Sequence, residues 1–375
     1  MSKNLILLFL IICLGISAQA QTAPDFPAVD WQLVKPEAEG YSSAKFDALK
    51  QWLAAGQTTA MVVIVHGHMI FSYGDTGRAT KIASVRKSIL SMLYGNYVVG
   101  SGPNIKIDLN KTVEQLGLEE PDRPFLPIEK SATLLQLIAG RSGIYLLKPD
   151  IRPDKDNILS SQPARGSQYP GTYFQYNDWD FNAAGTAFEK LTGKDIYDAL
   201  QSDLAGPTGM QDFDRAEQKK IKHDDSIHPE YAMYLSTRDM GRLGLLMLRN
   251  GNWNGKQLIS SDWVQGSTSV TTPFEEMNPP ILRALGNPER WGFGFMWWVW
   301  DAWVYPSGIF ITPYQGAYEA MGTGGQYILV LPARDMVIVH KVDIDKDPHA
   351  YVSSQEWDGI MNLVIGSACH GPCNK

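Results

Sequence analysis

The sequence predicts an α/β (α+β) fold, in which an antiparallel sheet flanked by helices carries a mostly helical lobe. Two β-rich runs surround a glycine-containing turn at residues 61–73. A stretch from about 104 to 280 contains helical segments broken by loops, and two further β-rich runs, 327–331 and 336–340, flank the turn 332–335. Strands near both ends of a chain, with helices between them, indicate a sheet that both ends complete.

The sequence favours a single mature domain behind a secretory leader. Residues 1–20 combine a positively charged start, an apolar stretch and a small-residue cleavage site. This is the pattern of a signal peptide, so we expect a secreted or periplasmic protein. Residues 21–375 then form one domain, without a later apolar run long enough to span a membrane. Within it we expect a sheet lobe from about 30–80 and 285–366 and a helical lobe from about 84–284.

Apolar spacing places several individual elements. Residues 43–55 are predicted to be a helix, because Phe46, Leu49 and Trp52 recur at helical spacing. Further elements follow from similar patterns: helices at 134–139, 181–191, 238–248 and 353–365, and an aromatic-rich strand at 291–303.

Charge and cysteine content narrow the range of partners. The net charge is −7 and no basic stripe is present, which argues against nucleic acid or an anionic membrane as a partner. The mature chain contains Cys369 and Cys373. A small local disulfide is natural in an oxidising compartment, and a metal site formed by these cysteines with His370 is the alternative. Neither bears on catalysis.

The tetrapeptide Ser84-Val85-Arg86-Lys87 lies between the first β-rich pair and an apolar helix. A serine and a lysine three residues apart share one face of a helix. A first-turn serine also lies near backbone N–H groups without helical partners. This arrangement suits a nucleophilic hydroxyl with an amine as proton acceptor. The spacing alone is weak evidence, because Ser42-Ser43-Ala44-Lys45 has the same pattern without this context.

A hydroxyl nucleophile also requires a proton carrier for the leaving group and donors for the oxyanion. Tyr176 lies in the loop before the predicted helix at 181–191, and the segment 320–326 supplies glycines and the N–H of Thr323. Taken separately, Tyr176 is more often a core residue and the glycines the start of a bulged strand.

In combination these segments resemble the serine β-lactamase and penicillin-binding-protein superfamily, whose signature is Ser-x-x-Lys. The resemblance is closest to the β-lactamase-related serine hydrolases: class C-like β-lactamases, D-aminopeptidases, esterases and 6-aminohexanoate-dimer hydrolases. It extends over nearly the whole mature chain and implies a β-lactamase/transpeptidase-like fold. The matching segments are 61–73, 82–93, 133–143, 170–178, 234–242 and 253–260.

The resemblance also implies roles for individual residues. Ser84 is the acylated nucleophile, Lys87 takes or relays its proton, and Tyr176 carries a proton to the leaving group and later from water. The oxyanion hole consists of the backbone N–H groups of Ser84 and Thr323. No metal or other cofactor is implied, because side chains and backbone donors are sufficient.

Asp178 departs from the family pattern at a position where an amide is usual. An amide donates hydrogen bonds, whereas an ionised carboxylate only accepts them. Asp178 therefore either pairs with Lys87, which favours the charged lysine, or binds a substrate that carries a donor such as an amine. The neighbouring Asn177 is a third possibility, as a replacement for the amide.

The third family motif lacks its usual cation. In the register counted back from Pro332 the motif is Ala320-Met321-Gly322, and a shift of two residues begins it at Gly322. Either way Gly322 belongs to the candidate substrate-binding strand, and nothing there meets a substrate carboxylate. This disfavours penicillin and favours a simple ester or amide.

Other conspicuous residues have more ordinary interpretations. The aromatic cluster within 291–303 is expected to pack mainly in the core. Arg86 and Arg141 are expected to form structural ion pairs, with Arg86 pointing away from the face that carries Ser84.

The predicted function is a secreted serine hydrolase that cleaves a small-molecule ester or amide through an acyl-enzyme. A β-lactamase or D-Ala-D-Ala carboxypeptidase is the first alternative. A non-catalytic binding or sensor domain of the same fold is the second.

Overall fold

The structure, a computed structural model, describes residues 26–98, 107–146, 162–278, 290–301 and 313–369, together with 371 and 373. The predicted leader and His370 lie outside these residues. Within the described ranges no helix has the length and apolar character needed to cross a membrane.

Thirteen strands can be assigned within the described residues. They are β1 (Ala60–Val65), β2 (His68–Gly74), β3 (Thr80–Lys81), β4 (Lys219–His223), β5 (Ser226–Ala232), β6 (Tyr234–Leu235), β7 (Asn252–Trp253), β8 (Lys256–Gln257), β9 (Trp291–Phe293), β10 (Trp298–Trp300), β11 (Tyr318–Gly322), β12 (Gln326–Leu331) and β13 (Met336–Lys341).

The predicted helices at 43–55, 134–139, 181–191, 238–248 and 353–365 are confirmed, with bounds that differ by up to three residues. The α-helices of the described ranges are α1 (Ser43–Ala55), α2 (Val85–Val98), α3 (Val113–Leu116), α4 (Pro127–Lys130), α5 (Leu134–Ile138), α6 (Asp178–Thr192), α7 (Ile196–Ala199), α8 (Gly206–Thr208), α9 (Thr237–Leu248), α10 (Ser261–Ser267) and α11 (Ser354–Ile365).

The main sheet contains seven strands of the described chain in the order β2-β1-β13-β12-β11-β10-β9. All its strand pairs are antiparallel. The early strand β1 pairs with the late strand β13, from Ala60 opposite Lys341 to Val65 opposite Met336. Both parts of the chain therefore complete one sheet.

Helices cover both faces of this sheet, which is why β1, β12 and β13 are buried along their whole length. On one face α9 packs closely, because a Cβ atom at Gly244 would lie 2.5 Å from Val337. In α1, Phe46 stacks on Phe71 of β2, and in α11, Trp357 stacks on Tyr327 of β12 with ring centroids 4.4 Å apart. The central helix α2 is buried from Val85 to Gly95.

Three small two-stranded sheets, which were not predicted from the sequence, accompany the helices. They pair β3 with β6, β4 with β5 and β7 with β8. The segment Lys219–His223 is largely exposed and mostly charged, so it lacks the apolar alternation that indicates a strand. Backbone pairing, rather than burial of side chains, defines it.

Two aromatic segments differ from the patterns by which they were predicted. Trp52 is 40% exposed, and Leu53 takes its place beside Phe46 and Leu49 in the core. The predicted single strand at 291–303 is instead the hairpin of β9 and β10, which reverses at Met296, where φ is +62°. The reversal allows Trp298 to pair with Phe293, and Trp303 lies outside the described residues.

Cys369 and Cys373 form a disulfide, as expected from the oxidising-compartment interpretation. Among the described residues no group of histidine, cysteine and carboxylate side chains is suited to hold a metal ion.

Candidate active site

Ser84 lies at the turn between β3 and α2, immediately before the first helical residue Val85. The turn depends on Ala83, whose φ of +47° is in the left-handed region that a residue with a side chain adopts infrequently. Ile82 anchors the other end, since its N–H donates to the Met233 carbonyl at 3.0 Å. The nucleophile candidate is therefore held by a fixed, strained backbone. The sequence pattern did not indicate the role of Ala83.

Lys87 is 2% exposed and its Nζ atom contacts three oxygen atoms. It lies 3.0 Å from Ser84 Oγ, 2.7 Å from Tyr176 Oη and 2.6 Å from Asp178 Oδ1. An ammonium group has three N–H donors, so these oxygens account for all of them. The Tyr176 ring also faces the ammonium, with its centroid 4.4 Å from Nζ. The structure thus brings together Ser84, Lys87 and Tyr176.

Tyr176 is positioned by its backbone and by aromatic neighbours. Its N–H donates to the Asn278 carbonyl at 3.2 Å. Its ring lies 5.2 Å from Phe181 and 5.6 Å from Trp298, measured between centroids. These contacts direct the phenol toward Lys87.

Asn177 does not replace the missing amide, which corrects that possibility. It is the N-cap of α6: its Oδ1 accepts from the Asp180 N–H at 2.9 Å, and its Nδ2 donates to the Gln175 carbonyl at 3.2 Å. Both polar ends of the side chain are occupied within the buried loop.

Asp178 begins α6 and forms the ion pair with Lys87 that was one of the two expectations for it. The Lys87 charge, followed by that of Arg86, lowers the pKa of Asp178 to about 2, although burial opposes this shift. The side chain is nevertheless 54% exposed. An ionised carboxylate next to the amine stabilises the charged lysine and opposes its action as a base.

Arg86 does form ion pairs, as expected, but it does not point away from the site. It lies 3.8 Å from Asp178 and 3.9 Å from Glu230, donates to Asn182 Oδ1 at 2.9 Å and covers the Tyr231 ring. Glu230 was not singled out in the sequence, because it belongs to the unpredicted strand β5. The second arginine, Arg141, pairs with Glu276 away from Lys87.

Replacing Asp178 with asparagine is expected to increase the rate at neutral pH. Loss of the carboxylate removes the ionised partner, 2.6 Å from Lys87 Nζ, that competes for the amine which must receive the Ser84 proton. The rate on a neutral activated ester at pH 7 rises several-fold. The pH profile from pH 5 to 9 is the measurement.

Asp225→Asn is the matched control, since Asp225 lines the same pocket as Asp178 but is not one of the groups that contact Lys87 Nζ. A kcat/KM of Asp178→Asn that is equal to or below that of the wild type across this pH range would contradict the inhibitory role of this carboxylate.

The candidate oxyanion donors approach one another where β11 ends. Thr323 directly follows Gly322, and a Cβ atom at Gly322 would lie 3.1 Å from the Ser84 nitrogen and 2.6 Å from the Ile82 oxygen. Among the turn, loop and cap hydrogen bonds of the described residues, neither the Ser84 N–H nor the Thr323 N–H donates to a backbone carbonyl. The absence of a side chain at Gly322 therefore permits the close approach of the strand to the nucleophile turn.

Ala320 has an uncharged methyl side chain and is completely buried on β11. Position 320 therefore provides no cation at the cleft. This agrees with the departure noted in the third motif.

Ser84 and Thr323 lie where two chambers of the cleft meet. The polar chamber has a volume of about 490 Å³; most of its lining residues are charged or polar, including Lys81, Arg86, Asp178, Asn182, His223 and Glu230, and Leu146, Trp179 and Ile344 complete it. The aromatic chamber has a volume of about 380 Å³ and its walls include Tyr176, Trp291, Trp298, Tyr327, Tyr351 and Trp357. Part of the aromatic cluster thus lines the cleft, in addition to packing in the core.

Asp180, in the first turn of α6 after the Tyr176 loop, is a completely buried acid. Asp180 accepts from Ser142 Oγ at 2.6 Å, and burial raises its pKa to about 8. Its ordinary pKa in an unfolded chain is about 3.9. Between about pH 4 and 8 the unfolded state therefore binds fewer protons at this site, so Asp180 makes the protein less stable as pH rises.

Asp180→Asn is expected to remove this dependence. The free energy of unfolding of the variant relative to the wild type should increase from pH 5 to 8, by at most about 1.4 kcal/mol per pH unit. Urea unfolding at several pH values measures it, with Asp47→Asn on the surface of α1 as control. A constant difference between wild type and Asp180→Asn across this range would refute the assignment.

The sheet order and the placement of Ser84 before a buried central helix define a β-lactamase/transpeptidase-like fold. A “Putative 6-aminohexanoate-dimer hydrolase from Bacillus anthracis” superposes with a TM-score of 0.62 at 21% identity, covering 92% of this chain and 88% of that one. A class C β-lactamase in complex with cefoxitin gives a TM-score of 0.58 at 16% identity, covering 88% and 99%. EstCE1, a hydrolase with promiscuous acyltransferase activity, gives 0.56 at 15% identity, covering 89% and 99%.

The chain belongs to the beta-lactamase family, whose model matches residues 49–350. The predicted family and fold class are both confirmed. A curated relative, an uncharacterized protein of Alkalihalophilus pseudofirmus, is 28% identical over 119 residues, which is 32% of this chain and 32% of that protein. Membership and fold together make this chain a hydrolase-family protein, and its particular chemistry depends on the residues described above.

Proposed function

We propose that this chain is a secreted serine hydrolase that cleaves an ester or amide bond of a small molecule through an acyl-enzyme on Ser84. The observation that carries the proposal is the hydrogen-bonded set in which Lys87 Nζ lies within 3.0 Å of both Ser84 Oγ and Tyr176 Oη. The signal-peptide pattern of residues 1–20 supports export.

The acylation step uses groups already in contact. With Lys87 in its neutral form, the proton of Ser84 Oγ passes to the Lys87–Tyr176 pair as Oγ attacks the carbonyl carbon. The N–H groups of Ser84 and Thr323 stabilise the oxyanion. Tyr176 then protonates the leaving oxygen or nitrogen as the scissile bond breaks. Water attacks the ester in the reverse sequence of proton transfers, which releases the acid and restores Ser84.

An ester or simple amide is the favoured substrate class because Ala320 is buried and supplies no cation for a β-lactam carboxylate. A β-lactamase or D-Ala-D-Ala carboxypeptidase, which would use the same acyl-enzyme, is the alternative within this mechanism. Turnover of nitrocefin at a rate comparable to that of an activated ester would favour the alternative.

Intact-mass measurement after treatment with a fluorophosphonate tests the proposal. The wild type should gain one adduct, peptide mapping should locate it on Ser84, and Ser84→Ala should gain none. An adduct on neither protein, or one on both, would refute Ser84 as the nucleophile.

A further inference from the structure

The two chambers of the cleft are chemically different, and Ser84 and Thr323 line both. A carbonyl group held between the Ser84 oxygen and the two oxyanion donors has two substituents, the acyl group and the leaving group. One substituent therefore extends into each chamber. The question is which substituent enters which chamber.

The position of Tyr176 answers that question. Its side chain lines the aromatic chamber and does not line the polar one. A group that donates a proton must come within hydrogen-bond distance of its acceptor, about 2.6–3.2 Å. The leaving oxygen or nitrogen must accordingly lie on the Tyr176 side of Ser84. The acyl group then lies on the opposite side, near Asp178.

The aromatic chamber suits a flat apolar group. Tyr176 and Trp298 form one wall with ring centroids 5.6 Å apart, and the parallel pair Tyr327 and Trp357, 4.4 Å apart, forms another. Tyr351 lies at the edge of the chamber with 63% of its surface exposed. A bound ring would cover this exposed aromatic surface, which contributes favourable burial and ring–ring contacts.

The polar chamber is a poor match for such a ring. Its walls contain the ion pairs Lys81–Glu230 at 3.1 Å and Arg86–Asp178 at 3.8 Å, all four residues lining the chamber. An apolar ring placed there would remove charged groups from water without offering them hydrogen bonds, which is unfavourable. A short acyl group with polar atoms avoids this cost.

We propose that the aromatic chamber binds the leaving group, so that the enzyme prefers esters or amides of aromatic alcohols or amines with a short polar acyl group. Tyr351 is a specificity-determining residue in this scheme. The proposal rests on the proposed function, because it uses Ser84 as nucleophile and Tyr176 as the donor to the leaving group.

Two isomeric esters test the direction of binding. Benzyl 3-methoxypropanoate carries the ring on the leaving alcohol, and 2-methoxyethyl phenylacetate carries it on the acyl group. Both release an ordinary alcohol, so their intrinsic reactivities are similar. We expect kcat/KM to be at least about tenfold higher for the benzyl ester, since the wrong isomer places its ring among charges. Equal values, or a preference for the phenylacetate, would overturn the proposal.

Substitution of Tyr351 separates a substrate contact from a structural effect. Tyr351→Ala should lower kcat/KM for the benzyl ester by roughly three- to tenfold, mainly through KM. The loss for methyl 3-methoxypropanoate, which carries no ring, should be much smaller. Tyr169→Ala is the matched control, because Tyr169 is 71% exposed and lines neither chamber. An equal loss on the methyl and benzyl esters would contradict a role for Tyr351 in binding the ring.

Fluorophosphonate labelling distinguishes failure of this inference from failure of the proposed function. Absence of a Ser84 adduct refutes the function itself. If the adduct forms but neither ester is hydrolysed, protection by benzyl alcohol becomes the readout. Benzyl alcohol should slow labelling of the wild type and have less effect on Tyr351→Ala. Labelling at an unchanged rate would overturn the placement of the leaving group.

Discussion

Replacing Lys87 with alanine is expected to slow acylation of Ser84 by about 10²–10⁴-fold, the usual contribution of a positioned proton acceptor. In the described site the Lys87 amine is in direct contact with both Ser84 Oγ and Tyr176 Oη. Without it, the Ser84 proton has no amine to receive it. The rate of fluorophosphonate labelling and the burst with a p-nitrophenyl ester measure the loss.

Lys45→Ala is a closely matched control for this experiment. Lys45 follows Ser42 at the same spacing and also lies in the first turn of a helix. Its Nζ atom, however, donates to the Gly366 carbonyl at 2.6 Å and not to a serine hydroxyl. It should retain full activity. Thermal unfolding of both variants tests whether they are folded. A folded Lys87→Ala protein that is acylated at the wild-type rate would eliminate Lys87 as the proton acceptor.

A methyl group at position 322 should be nearly as harmful as loss of the lysine. In Gly322→Ala the new Cβ atom would lie 2.6 Å from the Ile82 oxygen and 3.1 Å from the Ser84 nitrogen, both backbone atoms. To relieve this overlap, β11 must move away from the nucleophile turn and carry the Thr323 N–H with it. Loss of one oxyanion donor lowers kcat by about 10²–10³-fold. Overpacking also lowers the free energy of unfolding by about 1–3 kcal/mol.

Steady-state kinetics on an activated ester, together with urea unfolding, measure both effects of Gly322→Ala. Gly266→Ala in α10 is the control, because apart from the backbone of its own helix no atom of the described residues lies within 4 Å of the Cβ position there. It should keep wild-type kcat and stability. A Gly322→Ala protein with normal kcat would show that Thr323 does not need its present position for catalysis.

Elements with strong local patterns could be predicted from the sequence. The β12–β13 hairpin was recognisable because two apolar runs flank Pro332-Ala333-Arg334-Asp335. In the structure Asp335 has a φ of +45°, and the two strands pair from Tyr327 opposite His340 to Leu331 opposite Met336. The charged strand β4 could not be recognised, because its stability derives from pairing with β5 rather than from burial of its own side chains.

The candidate site was predictable in unequal parts. Ser84 and Lys87 are three residues apart, so helix geometry brings them together regardless of the rest of the chain. Tyr176 is 89 residues from Lys87, and only the family resemblance indicated that they meet. The sequence left two possible roles for Asp178, an ion pair with Lys87 or binding of a substrate donor. The distance of 2.6 Å between Asp178 Oδ1 and Lys87 Nζ shows the ion pair.

Local sequence was thus sufficient for the elements whose signal repeats within a few residues, and for the Ser84–Lys87 spacing. It also revealed that a cation is missing from the third motif. Long-range packing was needed for the approach of Gly322 to Ser84, the Asp178–Lys87 pair and the division of the cleft into a polar and an aromatic chamber. The physical reason is that these features depend on distances between segments separated by tens to hundreds of residues, and such distances arise only when the sheet and its covering helices assemble.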